Sequence, residues 1–143
     1  MIDDLIDSEA RAVLGRCFGS DFRRTRWHRG PLARLLTTMA GVAGITLGRR
    51  VLLSRPALAR LERQPGEPLR LIAHELAHVV QYRSLGTMRF LVWYCGEYLL
   101  FRWRGMDHQQ AYWSLTLERQ ARLVAELVAE WSAAPRAAEG GRD

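Results

Sequence analysis

The stretch Arg70-Leu-Ile-Ala-His74-Glu75-Leu-Ala-His78-Val-Val-Gln81 decides how this chain is read, because its apolar and its chemically active residues follow one helical period. On a helix, His74 and His78 lie roughly 40° apart around the axis and one turn apart along it, so both imidazoles can reach a single point. Glu75 sits beside them, able to touch a water at that point. The H-E-x-x-H spacing is a zinc-site signature. Two helix histidines holding nothing is the plain alternative, yet the chain has only four histidines, His28, His74, His78 and His108, and the motif uses two of them. Ile72, Leu76 and Val79 point away from the histidines, and Ala73, Ala77 and Val80 form a small-residue flank. The helix, expected over 69–85, is therefore apolar almost all round and belongs at the centre of the fold.

Around this helix, 143 residues with 48% hydrophobic content make one domain with a real core. All 21 basic residues are arginine, which excludes lysine Schiff-base and lysine general-base chemistry. The net charge of +6 follows from this arginine usage, and on its own it is weak evidence for a polyanionic partner. Cys17 and Cys95 are isolated and suit a reducing compartment. The N-terminus, Met1-Ile-Asp-Asp-Leu-Ile-Asp7, is acidic where an export signal is basic, so a cytoplasmic location is expected. The apolar run Phe90–Phe101 is broken by Glu97 and is shorter than the about 20 residues of a membrane span. Arg89, Arg102 and Arg104 with Trp93, Tyr94, Tyr98 and Trp103 would suit a helix lying on a membrane surface, but packing onto the central helix is the expected use.

Upstream, a first helix is expected over Asp3–Arg16, capped by Asp3 or Asp4, with Ile2, Leu5, Ile6, Ala10, Val13, Leu14 and Cys17 on its buried stripe. Phe22–His28 alternates like a short strand. Its arginines, Arg23, Arg24 and Arg26 with Arg29, are read as a solvated edge rather than a nucleic-acid site. Pro31 opens a second helix through Met39. Ile45–Leu47 and Val51–Leu53 flank Gly48-Arg-Arg50 as a tight hairpin whose edge could pair with an extended peptide. A prolyl loop over 54–68, with a short helix at Ala57–Arg63, leads to the central helix. Downstream, Gly86 ends that helix and Thr87 caps the next, which runs to Arg104. Asp107 caps a turn over His108–Tyr112, and Leu117–Trp131 forms the last helix. The result is an α+β fold, mainly helical, with a small antiparallel sheet packed on the central H-E-x-x-H helix. The domain spans 1–131 and the apolar-poor segment 132–143 is expected to be a disordered tail.

A catalytic zinc takes three protein ligands, so His74 and His78 need a partner. Glycine at position 81 and histidine at 84 would mark a metzincin, but the chain has Gln81 and Ser84. Glu97, nineteen residues after His78, has a spacing resembling the glutamate ligand of thermolysin-like enzymes, and His108 is a further candidate. Glu118 lies on the rim of an amphipathic helix whose Ala121 and Ala125 permit close packing.

Trp27-His28-Arg-Gly-Pro-Leu-Ala-Arg34, Gly44-Ile-Thr-Leu-Gly-Arg-Arg-Val-Leu-Leu53 and Ile72-Ala-His-Glu-Leu-Ala-His-Val-Val-Gln81 together resemble a bacterial family of zinc metallopeptidases associated with extracellular contractile injection systems and toxin-like polypeptides. The resemblance covers about residues 24–122, and it includes a later P-x-E-x-E-A element read here as Thr116-Leu-Glu118-Arg-Gln120-Ala121. It implies a minimal zincin-like domain of gluzincin type, with His74, His78 and Glu118 on Zn2+. Gln120 stands where the family has its second glutamate, which leaves the support of the ligands open. The implied activity is hydrolysis of a peptide or protein substrate, with Glu75 as general base and Tyr112 as candidate oxyanion donor. The alternative is a zinc-stabilised, non-catalytic module of an injection-system or toxin assembly.

Overall fold

The computed structural model describes residues 6–28, 30, 31, 33, 44–54, 59, 63 and 66–134. The expected helix after Pro31, the expected helical turn at Ala57–Arg63 and the segment after Ala134 lie wholly or largely outside these residues. Helix α1 (Ser8–Phe18) starts later than expected, because Asp7 caps it: its carboxylate accepts from the Ala10 N–H at 2.7 Å. Val13 and Leu14 are buried as the stripe requires, whereas Cys17 is exposed. Gly19, at φ 52, turns the chain into α2 (Ser20–Arg24).

Strand β1 is therefore only Arg26–His28, and the expected strand over Phe22–His28 is corrected to a helical turn plus a short strand. The cause is Asp21. It is buried, pairs with Arg83 at 3.3 Å, and its carbonyl accepts from Thr25 Oγ1 at 2.6 Å, so the backbone stays coiled until Arg26. Strands β2 (Gly44–Leu47) and β3 (Arg50–Leu53) form the expected hairpin about Gly48, whose φ of 61 suits a two-residue turn.

The sheet order is β1-β3-β2. The expected antiparallel sheet is corrected to a mixed one: β2 runs antiparallel to β3, but β1 runs parallel to it, with Trp27 opposite Val51. Burial explains the arrangement. Strand β3, with Val51, Leu52 and Leu53 all buried, takes the centre, while β1, with exposed Arg26 and His28, and β2 with exposed Leu47 take the edges.

Helix α3 (Glu67–Leu85) carries the H-E-x-x-H motif and is central, as its sequence demands. It is followed by α4 (Thr87–Trp103), α5 (His108–Ser114) and α6 (Thr116–Ala133). Gly86, at φ 77, ends α3 and is itself the N-cap of α4, so Thr87 does not serve as the cap. Asp107 caps α5 through a capping box with Gln110. Helix α6 runs two residues past Trp131. Ile72, Leu76 and Val79 of α3 join Leu14, Val51, Leu53, Ala125 and Val128 in the main core. Arg70 and Glu126, 3.1 Å apart, fasten the start of α3 to α6.

Helix α4 departs from expectation. Of its apolar residues only Phe90 is buried, stacked 3.8 Å from Tyr82, while Val92, Leu99 and Trp103 face outward. The small cluster of Tyr82, Phe90 and Leu117 occupies one edge of the helix and leaves the rest uncovered. No helix among the described residues is long and apolar enough to cross a membrane.

Candidate metal centre

The side chains of His74 and His78 converge as their spacing requires, with rings 4.8 Å apart and nearly perpendicular. Their Nε2 atoms lie 3.2 Å from each other. Helix α6 brings Glu118 to the same point, because Ala121 and Ala125, both buried, let it pack closely on α3. Glu118 Oε2 lies 3.2 Å from His74 Nε2, and Oε1 lies 3.3 Å from His78 Nε2. Among the described residues, His74, His78 and Glu118 form the one group of three or more metal-ligand side chains.

Gln81 fixes the state of His78. Its amide Nε2 donates to the Leu117 carbonyl at 3.0 Å and to Gln120 Oε1 at 3.3 Å, so the atom 2.8 Å from His78 Nδ1 is the Gln81 carbonyl oxygen. That oxygen only accepts, so Nδ1 carries a proton, and in the neutral ring Nε2 is the nitrogen left to bind a cation. Gln120 thus holds Gln81 in place beside His78.

The centre is deficient in positive charge. Glu118 is 3% exposed, and its Oε2, although near His74, has no partner aligned for a hydrogen bond. Burial raises the Glu118 pKa, but the two imidazoles outweigh it and hold the carboxyl well below the usual carboxylate range. Burial lowers the His78 pKa, and the Glu118 and Glu75 carboxylates with Gln81 more than reverse it. A buried carboxylate facing two imidazoles calls for a cation, either a proton on an imidazole or a metal ion. Arg122 does not supply it: its guanidinium is 3.9 Å from Oε2 and is held over the Trp113 ring at 4.4 Å.

Glu75, also 3% exposed, borders the same cleft. Thr46 Oγ1 donates to its Oε2 at 2.6 Å and to its carbonyl at 3.3 Å, so strand β2 orients the carboxylate. Gly44 lies against it on the other side. A Cβ at position 44 would meet Glu75 Oε1 and stand 2.8 Å from its Cδ. Gly44→Ala is therefore expected to lower stability by about 1–3 kcal/mol by overpacking. Thermal unfolding measures this, and an unchanged midpoint would contradict the contact.

Of the other candidates, Tyr112 lines the cleft and faces Glu118, while His108 accepts or donates at 2.8 Å with Tyr98 at the cleft margin. Glu97 is used elsewhere. Both its oxygens are taken by Thr116, from the backbone N–H at 2.8 Å and the hydroxyl at 2.7 Å, so it caps α6 two residues before Glu118. Burial opposes its ionisation, but these bonds keep its pKa lowered.

Four residues at the centre have no such role in the sequence: Tyr94, whose hydroxyl donates to Glu118 Oε1 at 2.8 Å, and Gly44, Thr46 and Gln81. Gln81 alone carried a local signal, since it lies three residues from His78 on one helix face. The cleft has a volume of about 660 Å³ and runs from β2 past the motif to α4, where Phe90, Leu91 and Leu99 make its wall apolar.

A mainly helical α+β domain with a small mixed sheet, and a buried two-histidine, one-carboxylate cluster opening to an apolar cleft, defines the class of protein. A family model described as the eCIS core domain matches residues 5–86, more than half of the chain, and the chain belongs to that family, which associates it with extracellular contractile injection systems. The match contains both histidines and Glu75 and ends at the turn between α3 and α4, so Glu118 lies beyond it. No curated protein and no solved structure matches the chain.

Proposed function

We propose that the chain is a zinc-dependent metallopeptidase of gluzincin type, with His74, His78 and Glu118 as metal ligands and Glu75 as general base. The observation that carries this reading is the convergence of the donor atoms: the two histidine Nε2 atoms lie 3.2 Å apart, and the Glu118 carboxylate sets Oε2 3.2 Å from His74 Nε2 and Oε1 3.3 Å from His78 Nε2. Ligands about 2.0–2.1 Å from a tetrahedral zinc are about 3.3–3.4 Å apart, so the donor set fits the ion by type and by size. Zinc, when bound, supplies Lewis-acid chemistry: it polarises a carbonyl and brings the pKa of water toward neutrality.

The chain's own residues supply the rest. The edge of β2, unpaired among the described residues, offers backbone hydrogen bonds to an extended peptide and lays it along the cleft. Glu75, held by Thr46, takes the proton of the attacking water and returns it to the leaving amine. Tyr112, which lines the cleft, serves as the hydroxyl donor to the carbonyl oxygen, while the Tyr94 hydroxyl holds Glu118. Burial and the Glu118 carboxylate push both pKa values up, so both keep their protons at neutral pH. The apolar wall excludes water from the reacting bond.

Gln81→Ala is expected to weaken zinc binding about 10–100-fold, since the Nδ1 partner of a histidine ligand sets its tautomer and orientation. Competition with a chromogenic chelator reads this, and an unchanged affinity would contradict the role. The function itself is tested by incubating zinc-loaded protein with a peptide library and with denatured protein, with and without a chelator. Chelator-sensitive cleavage is the expected result.

The second reading, a zinc-stabilised module without turnover, is favoured by the match to a core domain of injection systems, a family description that names an assembly. Tight zinc at one equivalent with no cleavage of either substrate would select it and overturn the peptidase.

A further inference from the structure

Helix α4 carries a row of exposed side chains at helical spacing, Met88, Val92, Cys95, Leu99 and Trp103, with Trp103 84% and Val92 69% exposed. A soluble surface seldom leaves a whole helix face apolar without a partner to cover it. Along α4 itself the outward charge has one sign. Arg89, Arg102 and Arg104 are exposed, and the helix's one acid, Glu97, is turned inward onto Thr116.

A second copy of the chain fits this face poorly. Antiparallel pairing of two α4 helices about Gly96 would bring Arg89 of each copy alongside Trp103 and its neighbour Arg102 of the other, with no outward acid to pair either. The other exposed apolar row, Leu123 and Leu127 on α6, has Glu126 and Glu130 beside it and lacks such a rim. An anionic lipid surface meets both demands, since acyl chains accept the apolar row and headgroups accept the arginines. Tryptophan is favoured at such a boundary. We infer that α4 is an interfacial helix that seats the domain on an anionic membrane surface, lying along it rather than crossing it. The cleft wall shares Leu91 and Leu99 with this face, so the cleft mouth would open beside the lipid.

Co-sedimentation of the full chain with vesicles tests this. Binding is expected with phosphatidylcholine vesicles containing phosphatidylglycerol, at least about tenfold weaker binding with pure phosphatidylcholine, and weakening by salt. Changing Arg89, Arg102 and Arg104 together to glutamine should lower partitioning roughly 100-fold, at about fivefold for each arginine. Val92→Asp with Leu99→Asp should reduce it to background; both positions are exposed, and circular dichroism checks that the fold is kept. Failure to bind anionic vesicles, equal binding to both vesicle types, or binding that survives all these substitutions would overturn the inference. So would a solution dimer abolished by the two aspartates, which would give the face to a second copy.

Discussion

Glu75→Gln leaves zinc bound at one equivalent and lowers peptide hydrolysis about 10²–10⁴-fold, the span contributed by a positioned general base. The substitution keeps the shape of the side chain, so the tight contact with Gly44 and the position beside the cleft are retained. What is lost is the ability to accept a proton from water and to return it to the amine. Because Glu75 is not among the ligand atoms, metal content should not change, and this separates the effect from loss of the centre. Metal analysis beside a peptide-cleavage assay measures both quantities. Cleavage undiminished in the variant would remove Glu75 from the mechanism.

Glu118→Ala is expected to act on binding itself and to weaken zinc affinity by more than about 100-fold. Replacing a residue that merely supports a ligand costs about 10–100-fold, and Glu118 supplies both a ligand atom and the negative charge of the centre. Glu97→Ala gives the contrast. Its carboxylate caps the first turn of α6, so its removal should cost about 0.5–2 kcal/mol of stability while zinc affinity stays within about tenfold. Chelator competition and thermal unfolding on the two variants measure the pair. A reversal, with Glu97→Ala losing zinc and Glu118→Ala keeping it, would transfer the ligand role to Glu97.

How much of this was legible in the sequence depended on the range of the interaction. The convergence of His74 and His78 follows from helical period alone, and the β2–β3 hairpin from a glycine between two apolar runs. Glu118 was readable because alanines one and two turns on marked a close helix contact. The mixed sheet was not readable, since strands of three or four residues carry no sign of which neighbour they join; burial of β3 made that choice. Nor was α2, where a buried Asp21 paired with Arg83, sixty-two positions away, overrides an alternating pattern. The roles of Thr46 and Tyr94 depend on contacts across 29 and 24 positions, and neither residue belongs to a motif. Exposure of α4 ran against its composition, because aromatic residues were expected to seek the core and only Phe90 found it.

The central claim is that His74, His78 and Glu118 together hold one zinc ion. The most direct test is a crystal of the zinc-loaded protein with diffraction data collected on both sides of the zinc absorption edge. The account predicts one anomalous peak bonded to the Nε2 atoms of His74 and His78 and to the Glu118 carboxylate, with Glu75 beside it and unbonded. A zinc-containing crystal with no peak at that point, or with the peak held by Glu97 or His108, would contradict it.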